Sequence, residues 1–258
     1  MIPLKDDTGQ RRRFPFITYT LIAINIVVFL LELNQGPQIQ AFIFAYSLVP
    51  AALTHNIPQT ILFASQLPQP FPYSTPSPVW LTLFTSMFMH AGWLHIGGNM
   101  LFLYIFGDNV EDRMGHLGYL LFYLLCGIVA ALAQTFVDPN STIPSLGASG
   151  AIAGVLAAYA VFFPGARVTT LIFLGIFVTI TRISALILIG LWFALQFFDG
   201  VASLSSQTQQ AAGGVAYFAH IGGFVAGLLI ALLLRPFQNP PQRRSTYPRW
   251  PPPPNTRW

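Results

Sequence analysis

Ser149 lies in the stretch GASGAIAG (147–154), at the head of a long apolar run. A hydroxyl flanked by glycines and alanines there has three candidate roles: a cap, a packing residue or a nucleophile. A nucleophilic serine is weak until a neighbouring base takes its proton. His220, in AHIGGFVAG (219–227), is the histidine placed to be that base. His95 and Asn99, in HAGWLHIGGNM (90–100), are four residues apart and share one helical face. Taken alone, that pair would equally suit bonding to a neighbouring helix, because an amide in hydrocarbon needs a partner. With a serine and a base, the same side chains become donors to the oxyanion of acyl transfer. The Ser149 backbone N–H would join them, since the first N–H groups of a helix have no partner within it and the helix dipole there favours negative charge. No carboxylate is at hand: Glu32, Asp138 and Asp199 fall at the ends of apolar runs or in loops. The expected machine is a Ser149–His220 pair without an acid, a metal or a cofactor.

The elements that position these groups belong to a membrane protein. Of 258 residues, 54% are hydrophobic and only 8% charged, against roughly 25% charged in a soluble domain. Six apolar runs are candidate spans: 16–33, 94–110, 119–137, 149–163, 183–198 and 215–234. A spanning helix needs about 20 residues, so the second, fourth and fifth are short, and such spans survive only when neighbours bury them or they line a wet cavity. The expected fold is an all-α bundle of six transmembrane helices. Its core is 16–234, with a basic cytoplasmic segment at 1–15 and a Pro/Arg-rich tail at 235–258. The lone Cys126 sits in an apolar run and excludes an intrachain disulfide.

All 12 lysines and arginines fall on one side of this arrangement: Lys5, Arg11–Arg13, Arg113, Arg167, Arg182 and five arginines after the last run. The positive-inside rule then places both termini in the cytoplasm. The apolar segment 168–181, 14 residues between Arg167 and Arg182, would cover about 21 Å as a helix, too little for a core of roughly 30 Å. It reads as an interfacial or partly re-entrant element on the cytoplasmic side. The start of the chain resembles a signal peptide, but no small-residue cleavage site follows, so an uncleaved first span is expected. The outer loop, 34–89, should carry a helix in the outer interface at 42–53 and a Pro/Ser linker at 68–78. The tail should be extended and solvated, with arginines able to touch anionic lipid. Asp108, Glu111 and Asp112 read as a turn or an ion pair with Arg113. His90 reads as a loop hydrogen-bonder, and His55 and His116 as loop residues without a role.

Depth and packing tie the four polar residues together. Ala219, Gly223 and Gly227 repeat every four residues, and Gly150 and Gly154 form a matching ridge. Such ridges let two helices approach closely. Ser149 begins its run from the outer side, and His220, His95 and Asn99 lie in the first turns of runs that enter from outside. All four therefore converge at one level below the outer surface.

Three motifs in this order, HAGWLHIGGNM, GASG and AHIGGFVAG, resemble the rhomboid family of intramembrane serine proteases. The resemblance implies Ser149 as nucleophile, His220 as general base, and His95 and Asn99 as oxyanion donors. It also implies an outer loop half-embedded in the outer leaflet and a fifth helix, with Trp192, Phe193, Gln196 and Phe197, at the substrate gate. Two residues depart from patterns found in part of the family. Leu81 follows Trp80 where an arginine can stand, which puts the loop's anchoring in question. Ala153 stands where a tyrosine can stack on the catalytic histidine, so another group must orient His220.

The implied substrates are single-span membrane proteins with Gly, Ser, Ala or Pro near the outer interface, because a helical peptide bond must unwind before a serine can reach it. The implied location is a bacterial inner membrane; Asp6 and Asp7 argue against a mitochondrial transit peptide. Nucleic acid is not an expected partner. Competing readings are an inactive relative that binds membrane clients, a small transporter using His95, Asn99 and His220, and a metal site of His90, His95 and His220. The transporter lacks an intramembrane carboxylate, and His90 and His95 do not share a helical face.

Overall fold

A computed structural model of the chain describes residues 1–8, 12–63, 72–175, 177–203 and 216–235. The tail beyond 235, with its expected extended form and lipid contact, and the first part of the 68–78 linker lie outside the described residues. The described chain is mostly helical. Helix α1 (Phe16–Leu33) follows strand β1 (Ile2–Asp6), and α2 (Ile39–Tyr46), α3 (Pro50–His55), α4 (Gln59–Leu62) and α5 (Thr82–Thr85) form the loop after it. Helix α6 (Trp93–Phe102) continues through one π-helical turn at Leu103–Gly107 into α7 (Asp108–Met114). Helices α8 (His116–Val137) and α9 (Ser149–Phe162), strands β2 (Arg167–Leu174) and β3 (Phe177–Ser184), and helices α10 (Ala185–Ser203) and α11 (Tyr217–Leu234) complete the order.

Helices α1, α8, α10 and α11 are each long and apolar enough to cross a membrane by themselves. Helix α1 shows how such a helix is patterned. Its buried residues are Thr18, Leu21, Asn25, Phe29 and Glu32, a helical stripe that is largely polar, while Ile24, Ile26, Val27, Leu30 and Leu31 are exposed. In a lipid environment the polar groups turn inward to find partners and the apolar ones face the solvent hydrocarbon. The Asn25 side-chain nitrogen donates to the Leu21 carbonyl at 2.7 Å.

Helix α9 is the centre of the bundle. Nearly every residue from Gly150 to Phe162 is buried. At 14 residues it is only about 21 Å long, so its first residue starts inside the bundle, below the level a full-length span would reach. It packs most closely on α11 and α8. The two expected ridges meet: Gly150 and Gly154 of α9 lie against Gly223 and Gly227 of α11. A Cβ on Gly154 would stand 2.6 Å from Cys126 Sγ and 3.1 Å from the Gly223 carbonyl oxygen, so a larger residue would force the helices apart.

The structure gives the form of the segment 168–181, read from the sequence as an interfacial or partly re-entrant element: it is a β-hairpin. Strands β2 and β3 pair antiparallel with Leu174 opposite Phe177 across Gly175, whose φ of +64° suits a tight turn. The runs RVTTLIFL and FVTITRIS are rich in β-branched and aromatic residues, which favour extended backbone. Strand β1 adds antiparallel to β2, giving a three-stranded sheet in the order β1-β2-β3. The second predicted run is corrected: helix extends past Val110 to Met114.

Contacts fix which helix ends lie together. The sheet, the start of α1, the end of α7, the starts of α8 and α10 and the end of α9 share one end. Asp7 N–H bonds the Arg167 carbonyl, Thr18 N–H bonds Glu111, and Ala185 N–H bonds the Ala166 carbonyl. Every described lysine and arginine belongs to segments at this sheet end, including Arg235 just past α11. The acidic cluster does structural work there, with partners the sequence reading did not name. Buried Glu111 accepts the backbone N–H groups of Ile17 (2.9 Å) and Thr18 (2.8 Å), the Thr18 hydroxyl (2.6 Å) and a His116 ring nitrogen (2.6 Å). It thereby satisfies orphan donors at the start of α1, and His116 is the first residue of α8, not an idle loop residue. Asp112 accepts the N–H groups of Arg12 and Arg13.

At the opposite end the described parts of the 34–89 loop are folded. Leu48 and Ser145 exchange two backbone hydrogen bonds of 2.9 and 2.7 Å, and Ala51 N–H bonds the Ser141 carbonyl. Val49, Ala52, Phe63 and Val79 form a small core of their own. His55 is within hydrogen-bond distance of Asn140 Oδ1, so it too has a partner. These ties hold the loop without the arginine absent at Leu81; Trp80 itself is half exposed.

Candidate active site

Ser149 is the first residue of α9, and Gly147 just before it has a φ of +126°, a left-handed conformation that L side chains rarely adopt. The Gly147 N–H bonds the Ser86 carbonyl at 2.8 Å, which ties the turn to the outer loop. His220 lies in the first turn of α11 and is buried. Because the glycine ridges bring α9 and α11 together, His220 Nε2 stands 2.7 Å from Ser149 Oγ.

The other imidazole nitrogen, Nδ1, stands 2.5 Å from Gln196 Oε1 on α10. An amide oxygen can only accept, so it holds the proton on Nδ1 and leaves the Nε2 lone pair to receive the serine proton. The Trp192 ring, one turn earlier on α10, lies 5.7 Å from the His220 ring at 42°. Ala153, where a stacking tyrosine was absent from the sequence, is fully buried one turn into α9. Gln196 and Trp192 thus occupy the surroundings of His220 that the sequence left without a partner.

His95 and Asn99 lie one turn apart on α6. His95 Nδ1 accepts the Ala91 N–H at 3.3 Å, which leaves Nε2 as the N–H donor. That nitrogen points at the serine turn: a Cβ built on Gly147 would be 2.9 Å from His95 Nε2 and 3.7 Å from Ser149 Oγ. The missing side chain therefore leaves a gap one atom wide between a donor and the hydroxyl. Asn99 is buried, and its Nδ2 has no hydrogen-bond partner in the protein. A buried amide donor costs about 1–3 kcal/mol when unmade, so it is poised for a ligand. The structure brings Ser149 and His220 together directly and His95 close to Ser149 across Gly147, while Asn99 follows His95 by one turn of α6.

His90 hydrogen-bonds through its backbone, and its ring is buried edge-to-face on His95, centroids 5.1 Å apart. Burial, and behind it the His95 ring, lowers its pKa to about 4, so it is neutral at pH 7. Its backbone N–H bonds the buried Glu32 carboxylate at 3.1 Å, which fixes the turn before α6. Among the described residues, no three His, Cys, Asp or Glu side chains stand where they could hold a metal ion. A cleft opens beside Ser149, lined by small residues that include Gly127, Ala130, Ala131, Gly150, Ala216 and Ala219.

The contributions of Gln196, Gly147 and Glu32 were not foreseen. A signal existed for the first: a polar amide in an apolar run needs a partner.

The family model for the rhomboid domain matches residues 77–237. Rhomboid-like protein 11, chloroplastic, of Arabidopsis thaliana is 32% identical over 163 residues, covering 62% of this chain and 54% of that protein. Rhomboid protein 1, mitochondrial, of Saccharomyces cerevisiae is 27% identical over 83% of this chain and 51% of its own. Rhomboid protease GluP of Bacillus subtilis is 29% identical over 85% of this chain and 35% of its own. The chain spans about half the length, or less, of these relatives.

Proposed function

The chain belongs to the rhomboid family, and from that premise we propose that it is an intramembrane serine endopeptidase acting through Ser149 and His220. The observation that carries this reading is the 2.7 Å contact between His220 Nε2 and Ser149 Oγ, with Nδ1 held by an acceptor.

In the proposed reaction Nε2 takes the hydroxyl proton as Oγ attacks the substrate carbonyl carbon. The carbonyl oxygen becomes an oxyanion in the gap opposite Gly147 and accepts from His95 Nε2–H, with Asn99 Nδ2–H and the Ser149 N–H proposed as its further donors. The protonated imidazole then gives its proton to the leaving amine, the C–N bond breaks and an acyl-enzyme remains. Water, deprotonated by the same nitrogen, attacks the ester and restores Ser149. No step calls for a metal or cofactor.

Proposed substrates are single-span proteins whose helix is easily unwound near the outer interface. Unwinding in hydrocarbon leaves each backbone group short by several kcal/mol; a site sunk inside the bundle at the head of the short α9 can offer water and protein partners instead. The small-residue cleft beside Ser149 favours Gly, Ala or Ser next to the cut bond. We place the protein in a bacterial inner membrane as a six-span protein, with the basic sheet end cytoplasmic.

The test is cleavage in reconstituted vesicles of a single-span substrate carrying an Ala-Gly step near one interface. Wild type should cut it at that step, chelators should leave the rate unchanged, and Ser149→Ala should not cut. Equal cleavage by Ser149→Ala would refute the assignment.

A further inference from the structure

We propose that Gln196 is a positioning residue that selects the base-competent tautomer of His220, a role that rests on the Ser–His reading above. An imidazole with one unbonded nitrogen distributes its proton between the two. With the proton on Nε2 the ring would donate to Ser149 Oγ and could not accept its proton. With the proton on Nδ1 it can. The Gln196 carbonyl oxygen, 2.5 Å from Nδ1, favours the second state.

The setting supports this use of the amide. Helix α10 is apolar, and Leu191, Leu195, Phe197 and Phe198 are exposed where lipid would lie. Gln196 is less exposed than these neighbours and its amide is turned onto the imidazole. Trp192, one turn away on the same face, closes the side of the ring. A carboxylate in this place would need a counter-charge in an apolar surround; a neutral amide orients the ring without one. The bond also joins two helices. Phe193 stacks on Phe224 with centroids 4.2 Å apart, and Gly200 packs against Tyr217 and Ile221. Holding α10 against α11 and holding the imidazole in its working tautomer are therefore one geometric condition.

Two readouts on the full chain in detergent micelles test the proposal. The first is the side-chain nitrogen spectrum of His220, assigned by its loss in His220→Gln. Wild type should show the Nδ1–H tautomer, and Gln196→Leu should shift it toward Nε2–H or a mixture. The second is kinetic. Gln196→Leu and Gln196→Ala should lower kcat roughly 10-fold or more, as expected for loss of one orienting bond, with KM within about twofold. Melting curves would identify a variant that merely unfolds. An unchanged tautomer or an unchanged kcat in folded Gln196→Leu would overturn the proposal. If the wild type neither cuts nor labels but the tautomer still depends on Gln196, the positioning stands and the hydrolytic reading fails.

Discussion

At the scale of single residues, the account turns on donors and acceptors that have nowhere else to go. Asn99 Nδ2 is buried and unpaired, so Asn99→Ala should lower kcat by about 10²–10³, the usual loss for one oxyanion donor. Single-turnover rates would measure it, and an unchanged rate removes Asn99 from the reaction. Gly147→Ala should be harmful for a different reason. Its Cβ would fall 2.8 Å from the His95 ring, inside the gap the oxyanion needs, and at a φ of +126°. A displacement of that kind can cost roughly 10² in rate, with substrate binding less affected. The meeting of Ser149 and His220 was legible in the sequence because polar groups in apolar runs demand an explanation. The task of Gln196 was not, because it depends on the rotation of α10 relative to α11, which periodicity alone does not give.

The elements act by their length and by what they lack. Helix α9 is short, and its glycines meet those of α11, so the site is both sunken and close-packed. Gly223→Val should destabilise the protein by about 1–3 kcal/mol, as overpacking does, and should lose activity with the separation of Ser149 from His220. Thermal unfolding and substrate cleavage, read together, check both effects; a stable and fully active Gly223→Val would mean the ridge contact is unimportant. At the other end Glu111→Ala should lower the melting temperature without touching the site, since it orphans the N–H groups that begin α1 at about 1–3 kcal/mol. The helices and the meeting of the ridges were legible from apolar runs and four-residue spacing. The sheet was not. Residues 168–181 were judged by hydropathy and length, whereas their β-branched residues and Gly175 decide for a hairpin. The partner that makes it a sheet, β1, lies more than 150 residues away.

For the whole molecule, the distribution of charge and the placement of the serine on opposite ends of the bundle go together. The sheet end carries the described lysines and arginines, and the serine end carries the described, folded parts of the outer loop. The native Cys126 is buried, so single cysteines can report sidedness against a silent background. In spheroplasts, an impermeant maleimide should label Thr142→Cys and leave Lys5→Cys unlabelled until the membrane is opened; the reverse pattern would invert the orientation proposed here. The central claim, that Ser149 is a nucleophile made reactive by His220, is tested most directly by a fluorophosphonate probe followed by peptide mass spectrometry. The account predicts a covalent adduct on Ser149 in the wild type and none in Ser149→Ala or His220→Ala. Adduct formation on another residue, or labelling that persists in folded Ser149→Ala or His220→Ala, would contradict it.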